Sequence, residues 1–266
     1  GPHAIVMPCP DALEWADRVI RVALSGAGGK LATPIIAAVA SSSDLELSGL
    51  YNPNRAGTEI DGQVVTGDAS SISADVMVET AHPDVVFDNL AAWSEAGMAT
   101  VVGTSGFTPE RLGELRTMWG SSAPCLVVPN FSIGAVLMMR FATEAVEHFE
   151  AVEIIERHHS AKPDAPSGTS LATAMTIGKA GGVSIEGSEE LVAGARGAAV
   201  EGVRVHALRL PGVIAQQEVA LSNPGEVLSI EHLSTSYESF AAGALTAVRG
   251  VSRLDPGVHL GLDAVL

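Results

Sequence analysis

Residues 153–170 read Glu-Ile-Ile-Glu-Arg-His-His-Ser-Ala-Lys-Pro-Asp-Ala-Pro-Ser-Gly-Thr-Ser, which brings two adjacent imidazoles, one of three lysines and a Ser-Gly-Thr turn into one stretch. An imidazole can deliver the proton that an electron-rich carbon needs, and a lysine can hold a carboxylate or share the acid role. His158 and Lys162 stand four residues apart, and a loop can turn both towards one ligand. Ser167 suits the N-cap of a helix over residues 169–180, whose first N–H groups would receive a carboxylate. The chain carries 15 Lys and Arg against 31 Asp and Glu, a net charge of −16. Against that acidic background the local set of Arg157, His158, His159 and Lys162 marks a place for an anion, and the arrangement suits a dianion. The plainer alternative is a solvated His-Lys loop beside Asp164.

Such a loop needs a scaffold. Residues 151–156 read as the strand that leads into it. Further upstream, residues 21–24 are strand formers followed at once by Ser25-Gly26-Ala27-Gly28-Gly29-Lys30-Leu31 and then by an apolar helical stretch at 35–39. Strand, glycine turn and helix in that order let a backbone approach a pyrophosphate, whose charge the free N–H groups at the helix start can meet. Gly26 and Gly28 supply the turn. The third glycine of the usual pattern falls at Gly29 or at Thr33, so a turn that merely joins strand to helix is the competing reading. Further strand-like runs at 45–50, 76–79, 100–102 and 126–128 alternate with helical patterns at 83–97 and 109–120. Each of those helices is predicted to carry a proline in its first turn and to stop at Gly97 or Gly120. This βαβ rhythm predicts an α/β fold with a parallel, doubly wound sheet. Gly103-Thr104-Ser105-Gly106 and Pro129-Asn130-Phe131-Ser132 follow two of the strands, at the ends where such sheets bind ligands. The second strand of a dinucleotide fold normally ends in an acid that meets the adenosine ribose; here Asn52 stands there, with Arg55 three residues on. An uncharged amide does not repel a 2′-phosphate, so NADPH is expected to be accepted as well as NADH. Asn52-Pro53-Asn54 can also be read as a simple turn.

Composition narrows the classes. At 266 residues with 47% apolar content the chain can build one large α/β unit or two domains. It has no Lys/Arg run for a nucleic-acid backbone, and no apolar run near the roughly 18 residues of a membrane span. The short apolar patch at 4–7 lacks the basic flank of a signal peptide, so a cytoplasmic protein is expected. Gly1-Pro2-His3 reads as an expression remnant. Cys9 and Cys125 have no CxxC or Cys/His spacing, so neither a disulfide framework nor a metal site is expected. Met138 and Met139, with Val136, Leu137 and Phe141, read as a buried helix face. Glycines at 181–182 and 194–197 suggest mobile connections, and Arg196 is read either as a reach towards an anion or as a surface residue.

Taken together, these stretches resemble the 4-hydroxy-tetrahydrodipicolinate (dihydrodipicolinate) reductase family. The run at 153–169 is similar to the family's most distinctive motif. Ser-Gly-Ala-Gly-Gly-Lys from Ser25, His-Pro-Asp-Val-Val-Phe-Asp-Asn-Leu from His82, Val-Val-Gly-Thr-Ser-Gly-Phe-Thr from Val101, Val-Pro-Asn-Phe-Ser-Ile-Gly from Val128 and His-Ala-Leu-Arg-Leu-Pro-Gly-Val-Ile-Ala-Gln-Gln-Glu-Val from His206 follow in the family's order. The resemblance implies a Rossmann-like parallel-sheet cofactor domain over 1–129 and 241–266. A smaller mixed α/β domain at 130–240 would bind substrate and build a homotetramer, with hinges near Pro129 and Phe240. It implies hydride delivery from NADPH or NADH to C4 of a cyclic dicarboxylate, protonation of the neighbouring carbon and loss of water. His158 becomes the proton donor and Lys162 its partner, while His159, Gly168 and Thr169 bind the substrate carboxylates. Gly26, Ala27, Gly28, Gly29, Lys30 and Leu31 would cradle the pyrophosphate, and Asn52 would face the ribose. Gly103, Thr104 and Ser105, with Val128, Pro129, Asn130 and Phe131, would line the nicotinamide side.

The chain also departs from the family pattern. Ala161 stands where a third histidine is common, and Glu79-Thr80-Ala81 replaces an Asp-Phe-Thr turn. Tyr237 replaces an arginine, Ser105 a threonine and Ser170 an alanine. These departures set two alternatives beside the family activity: a paralogue reducing another cyclic imine or unsaturated carboxylate, and a nucleotide-binding protein without catalysis.

Overall fold

The computed structural model describes residues 19–121 and 123–266; Gly1-Pro2-His3, the patch at 4–7 and Cys9 lie outside them. In chain order the elements are β1 (Ile20–Ser25), α1 (Ala32–Ala40), β2 (Leu45–Tyr51), β3 (Glu59–Ile60), β4 (Gln63–Val64), β5 (Val76–Glu79), α2 (Val86–Glu95), β6 (Ala99–Val102), α3 (Pro109–Trp119) and β7 (Pro124–Val127). There follow α4 (Ile133–Ala145), β8 (Ala151–His158), α5 (Gly168–Lys179), β9 (Ala198–Val200), β10 (Val203–Arg209), β11 (Ala215–Asn223), β12 (Glu226–Ser234), α6 (Ser239–Val251) and β13 (Gly257–Leu260). The chain divides into two compact units. The first runs to Val127 and takes in Ala244–Leu260 and Val265, and the second holds Val128–Gly243, Gly261–Ala264 and Leu266.

The first unit is built on a sheet ordered β13-β7-β6-β5-β1-β2, in which every pairing is parallel. Its strands β5 and β6 are buried at every position, as strands covered on both faces must be. Val76, Met77 and Val78 are buried throughout. Helix α1 buries Ala32, Ile35, Ile36 and Val39, one face at helical spacing. Trp93 of α2 meets Tyr51 edge to face at 5.3 Å, inside a cluster with Leu90, Leu115 and Trp119. Thr108 caps α3 by accepting from Arg111 N, Pro109 opens it, and Gly120 at φ +69° ends it. The predicted helix at 83–97 begins later, at Val86. Val85 N donates to His82 O at 3.1 Å, so Pro83 occupies a tight turn before the helix rather than its first turn.

The second unit holds a mixed sheet ordered β12-β11-β8-β10-β9. β10 runs parallel to β8, while β11 is antiparallel to both β8 and β12. Helices α4 and α5 cover one face, where Met138, Ala142, Ala174 and Ile177 meet Val152, Ile154, Val205, Val219 and Leu221. Alternation along β8 turns Val152, Ile154 and Glu156 to that face and Glu153, Ile155 and Arg157 to the other. β8 extends past the predicted 151–156 to His158, because His158 has a partner on each side, Arg209 and Ala215. The predicted methionine face is corrected in part: Val136 and Met138 are buried, but Phe141 is 51% exposed. Gly182 is not loose, since a Cβ there would meet Ile177 at 2.5 Å.

Candidate active site

In the first unit β1 ends at Ser25 and the chain turns through Gly26 and Gly28, at φ +79° and +81°. Only glycine adopts that backbone without strain, and here space excludes a side chain as well. A Cβ on Gly26 would lie 2.8 Å from the carbonyl carbon of Thr80, and one on Gly28 would lie 3.0 Å from the Arg55 side chain. Helix α1 begins just beyond, with no side chain capping it and with Thr33 N donating to Gly29 O at 3.1 Å, so the positive end of the helix faces the turn. A cleft of about 550 Å³ opens over this turn, lined among others by Gly26, Gly28, Asn52, Arg55, Thr80 and Ala81. A bare backbone cradle, a helix start and one guanidinium fit a dinucleotide diphosphate. Lys30 projects outward, while Ala27 is fully buried. Asn52 lines the cleft with its side chain already engaged: Nδ2 donates to Ala27 O at 2.9 Å and Oδ1 accepts from Asn54 N at 3.1 Å.

The wall facing the glycine turn rests on a buried acid. Glu79 accepts from Ala81 N at 2.7 Å and from Trp93 Nε1 at 2.8 Å. Burial pushes its carboxyl up, against the lowering effect of those hydrogen bonds and of Ser25 and Asn89. Thr80 donates to Ser25 O at 2.7 Å and Thr104 to Ala81 O at 2.8 Å, which ties Gly103 and Thr104 into the same wall. Ser105 is exposed. The Glu79-Thr80-Ala81 stretch is therefore anchored by its own hydrogen bonds.

In the second unit the organising group is Glu156, whose side chain is fully buried. Its Oε2 lies 2.5 Å from Nδ1 of His158, and its Oε1 accepts from Arg209 Nη2 at 3.0 Å and from Ser167 N at 3.3 Å. Burial pushes this carboxyl up, but the hydrogen bonds and charges of His158 and Arg209 outweigh it and hold the group below its ordinary range. Strand geometry brings this about. His158 follows Glu156 by two residues and shares its face, while Arg209 is the register partner of His158 across β10. Arg209 also donates to Asp164 O and Leu208 O, binding the loop at 159–167 to the sheet.

That loop positions the remaining residues. Lys162 N donates to His159 O at 3.1 Å, and Lys162 Nζ pairs with Asp164 Oδ1 at 2.8 Å, so the lysine is engaged by an exposed acid. Ser167 caps α5 by accepting from Ser170 N at 3.1 Å. Ser170 donates to Gln217 Oε1 at 2.7 Å, and Gln217 Nε2 donates to Thr173 Oγ1 at 2.8 Å, which pins the helix start to β11. Gly168 is exposed, with open space where a Cβ would stand. Thr169 Oγ1 accepts from Asn130 Nδ2 at 3.1 Å. Val128 and Phe131 are buried, and Pro129 is exposed.

Not every predicted member joins this group. Arg157 points to the opposite sheet face, 3.7 Å from Glu218 and 3.9 Å from Glu231, because the pleat separates neighbours in sequence. Arg196 pairs with Glu153, which also accepts from His206 Nε2 at 2.7 Å if that nitrogen carries the proton. Sequence reasoning passed over Glu156, although its i, i+2 relation to His158 on a strand was a usable signal. Arg209 and Gln217 offered no local signal.

Comparison with known proteins gives a consistent result. The family described as "Dihydrodipicolinate reductase, N-terminus" matches residues 20–131, and its C-terminal counterpart matches 134–266. The chain is 44% identical to 4-hydroxy-tetrahydrodipicolinate reductase of Nocardia farcinica, over 93% of this chain and 98% of that protein. The corresponding protein of Cutibacterium acnes is 43% identical, over 93% and 99%. Among solved structures, dipicolinate-bound dihydrodipicolinate reductase from Paenisporosarcina superposes with a TM-score of 0.80 at 32% identity, covering 93% of this chain and 100% of that one. The amine dehydrogenase of Mycobacterium smegmatis, at 12% identity and a TM-score of 0.63, shares the fold alone. With both halves of the family matched across the two units, the chain belongs to the dihydrodipicolinate reductase family.

Proposed function

We propose that this protein is an NAD(P)H-dependent oxidoreductase that reduces a 4-hydroxy-tetrahydrodipicolinate-type cyclic imine dicarboxylate to tetrahydrodipicolinate, in the diaminopimelate and lysine pathway. Within the fold, one observation carries the reading: the buried Glu156 carboxylate lies 2.5 Å from Nδ1 of His158 and accepts from the N–H of Ser167, joining an imidazole to a helix start. The names of the Nocardia and Cutibacterium relatives support the same activity.

The reaction takes in one hydride and one proton and releases one water. When bound, the reduced nicotinamide supplies the hydride, and the rest falls to the chain. With Nδ1 turned to Glu156, His158 keeps Nε2 to donate a proton to the carbon beside C4. Lys162 is its catalytic partner. Its pair with the exposed Asp164 is worth only about 0–1 kcal/mol and yields readily to a substrate carboxylate. His159, the Gly168 N–H and the Thr169 hydroxyl receive the two carboxylates. Gly26 to Leu31 hold the pyrophosphate, and Asn52 acts by steadying Ala27. Arg55 supplies the charge that favours NADPH. Gly103, Thr104 and Ser105 of the first unit are assigned to the nicotinamide side; of Val128, Pro129, Asn130 and Phe131, expected there too, the Asn130 side chain is already engaged by Ser132 and Thr169.

The chain is further proposed to work as a cytoplasmic homotetramer, with hinges near Pro129 and Phe240. In support, the helix-free face of the mixed sheet and its edge strand β12 leave Val227 and Leu233 69% and 53% exposed. No helix among the described residues is long and apolar enough to cross a membrane. The test is purified protein with freshly generated hydroxytetrahydrodipicolinate and NADPH or NADH, followed by loss of nicotinamide absorbance. Turnover that collapses in His158→Gln and Lys162→Met, with cofactor affinity intact, is expected. Absence of turnover in the parent protein would overturn the reading and favour another cyclic imine, the alternative raised by Ala161 and Tyr237.

A further inference from the structure

Asn130 stands in the loop between β7 and α4, and both ends of its side chain are committed. Its Oδ1 accepts from Ser132 N at 2.8 Å. A backbone N–H can only donate, so the opposite end of the amide, which meets Thr169 Oγ1 at 3.1 Å, must be the NH₂ group. The Thr169 hydroxyl thus has a lone pair taken by a donor, and its own proton must point elsewhere. Other threonines spend that proton on the carbonyl four residues back: Thr173 donates to Thr169 O at 2.8 Å and Thr176 to Ala172 O at 2.9 Å. Thr169 is the second residue of α5, so no helical carbonyl lies four residues before it. Its proton remains for a ligand at the helix start, beside the Gly168 N–H.

The loop that holds Asn130 is itself fixed. Ser132 caps α4, and its Oγ lies 2.9 Å from His232 Nε2 on β12. Gly134 leaves no slack, because a Cβ there would lie 2.5 Å from the His232 ring. A chain of contacts therefore runs from β12 through Ser132 and Asn130 to the hydroxyl at the start of α5.

We propose that Asn130 is a positioning residue for carboxylate recognition, which commits the Thr169 hydroxyl to donating its proton to a substrate carboxylate. The proposal rests on the reading of Thr169 as a carboxylate ligand, and it gives Asn130 a task other than lining the nicotinamide side. Asn130→Asp reverses the polarity: the new carboxylate accepts the Thr169 proton and withdraws it from the ligand.

The test measures KM, kcat and the Kd of pyridine-2,6-dicarboxylate for the whole protein, with NADPH Kd in parallel. Asn130→Asp is expected to raise KM and the dicarboxylate Kd about 10- to 100-fold, the cost of losing one hydrogen bond to a charged group. kcat should stay within about threefold and NADPH Kd should not move. Asn130→Ala, which frees the hydroxyl without adding charge, should give a smaller rise in the same constants. In a Thr169→Val background neither change should add more than about twofold, whereas in Thr169→Ser, which keeps the hydroxyl, both should keep their effect. An Asn130→Asp effect of full size in the Thr169→Val background would assign it to charge alone and overturn the proposal. A change confined to NADPH Kd would overturn it as well. Dicarboxylate binding unaltered by Thr169→Val would instead refute the carboxylate reading on which the proposal stands.

Discussion

Replacing Glu156 with glutamine alters one heavy-atom identity, a carboxylate oxygen to an amide nitrogen, and leaves the volume of the site nearly unchanged. The environment decides how the amide must sit. Arg209 Nη2 and Ser167 N both donate to Oε1, so the glutamine oxygen has to stay there and its NH₂ group has to face His158 Nδ1. In the parent protein the buried carboxylate stands 2.5 Å from Nδ1, where its negative charge backs the ring. In Glu156→Gln a neutral amide faces Nδ1 instead, so a proton given up by the ring at Nε2 is no longer backed by a negative partner. A hydrogen bond to a charged group is worth about 1.5–3 kcal/mol, which corresponds to roughly 10- to 150-fold in rate. Steady-state nicotinamide oxidation should show that loss in kcat, with the Kd of NADPH unchanged, because the glycine turn and its cleft belong to the other unit. Circular dichroism and a thermal melt would check that the variant folds. A folded Glu156→Gln protein with kcat within about twofold of the parent would refute the claim that Glu156 sets the state of His158.

Ser170→Ala restores the residue usual in the family, yet it should cost about 1–3 kcal/mol in urea unfolding, because it strips the donor from the buried Gln217 Oε1. Arg55→Ala should raise KM for NADPH about tenfold and leave KM for NADH nearly unchanged; equal effects on both would remove Arg55 from 2′-phosphate recognition. Burial raises Glu79, so between the ordinary value of 4.5 and its raised folded value the folded protein binds a proton that the unfolded chain has released. The stability it contributes is complete below that value and declines as pH rises towards the folded value, so Glu79→Gln should flatten the decline in unfolding free energy on that side. Glu156 behaves oppositely: its folded value is lowered, so its contribution is complete above the ordinary carboxylate range and is lost as pH falls through the folded value, a slope that Glu156→Gln should remove.

The parts of this molecule that were legible beforehand are those built by near neighbours. The β1, glycine turn and α1 sequence could be read directly because a strand, two glycines at positive φ and an apolar helix face are each specified within a few residues. The Ser167 cap was legible for the same reason. The sheet of the second unit was not. β8 lies between β10, which is parallel, and β11, which is antiparallel, and such pairings depend on contacts far apart in the chain. Arg209 reaches Glu156 across 53 residues of sequence, a distance over which residue type carries no positional information. Arg157 illustrates the converse. Its charge and its place beside His158 argued for one anion site, but the pleat turned it to the far face and into an acidic pair.

From the sequence alone came the α/β class, the family, the loop carrying His158 and Lys162, and the glycine turn, because local chemistry and chain order encode all of them. Tertiary structure decided which groups act on one another: the buried Glu156 that faces His158, the Asp164 that engages Lys162, and the Asn130 amide that turns the Thr169 hydroxyl into a donor. Those relations depend on burial and on the direction of hydrogen bonds, and neither exists until distant segments have packed together.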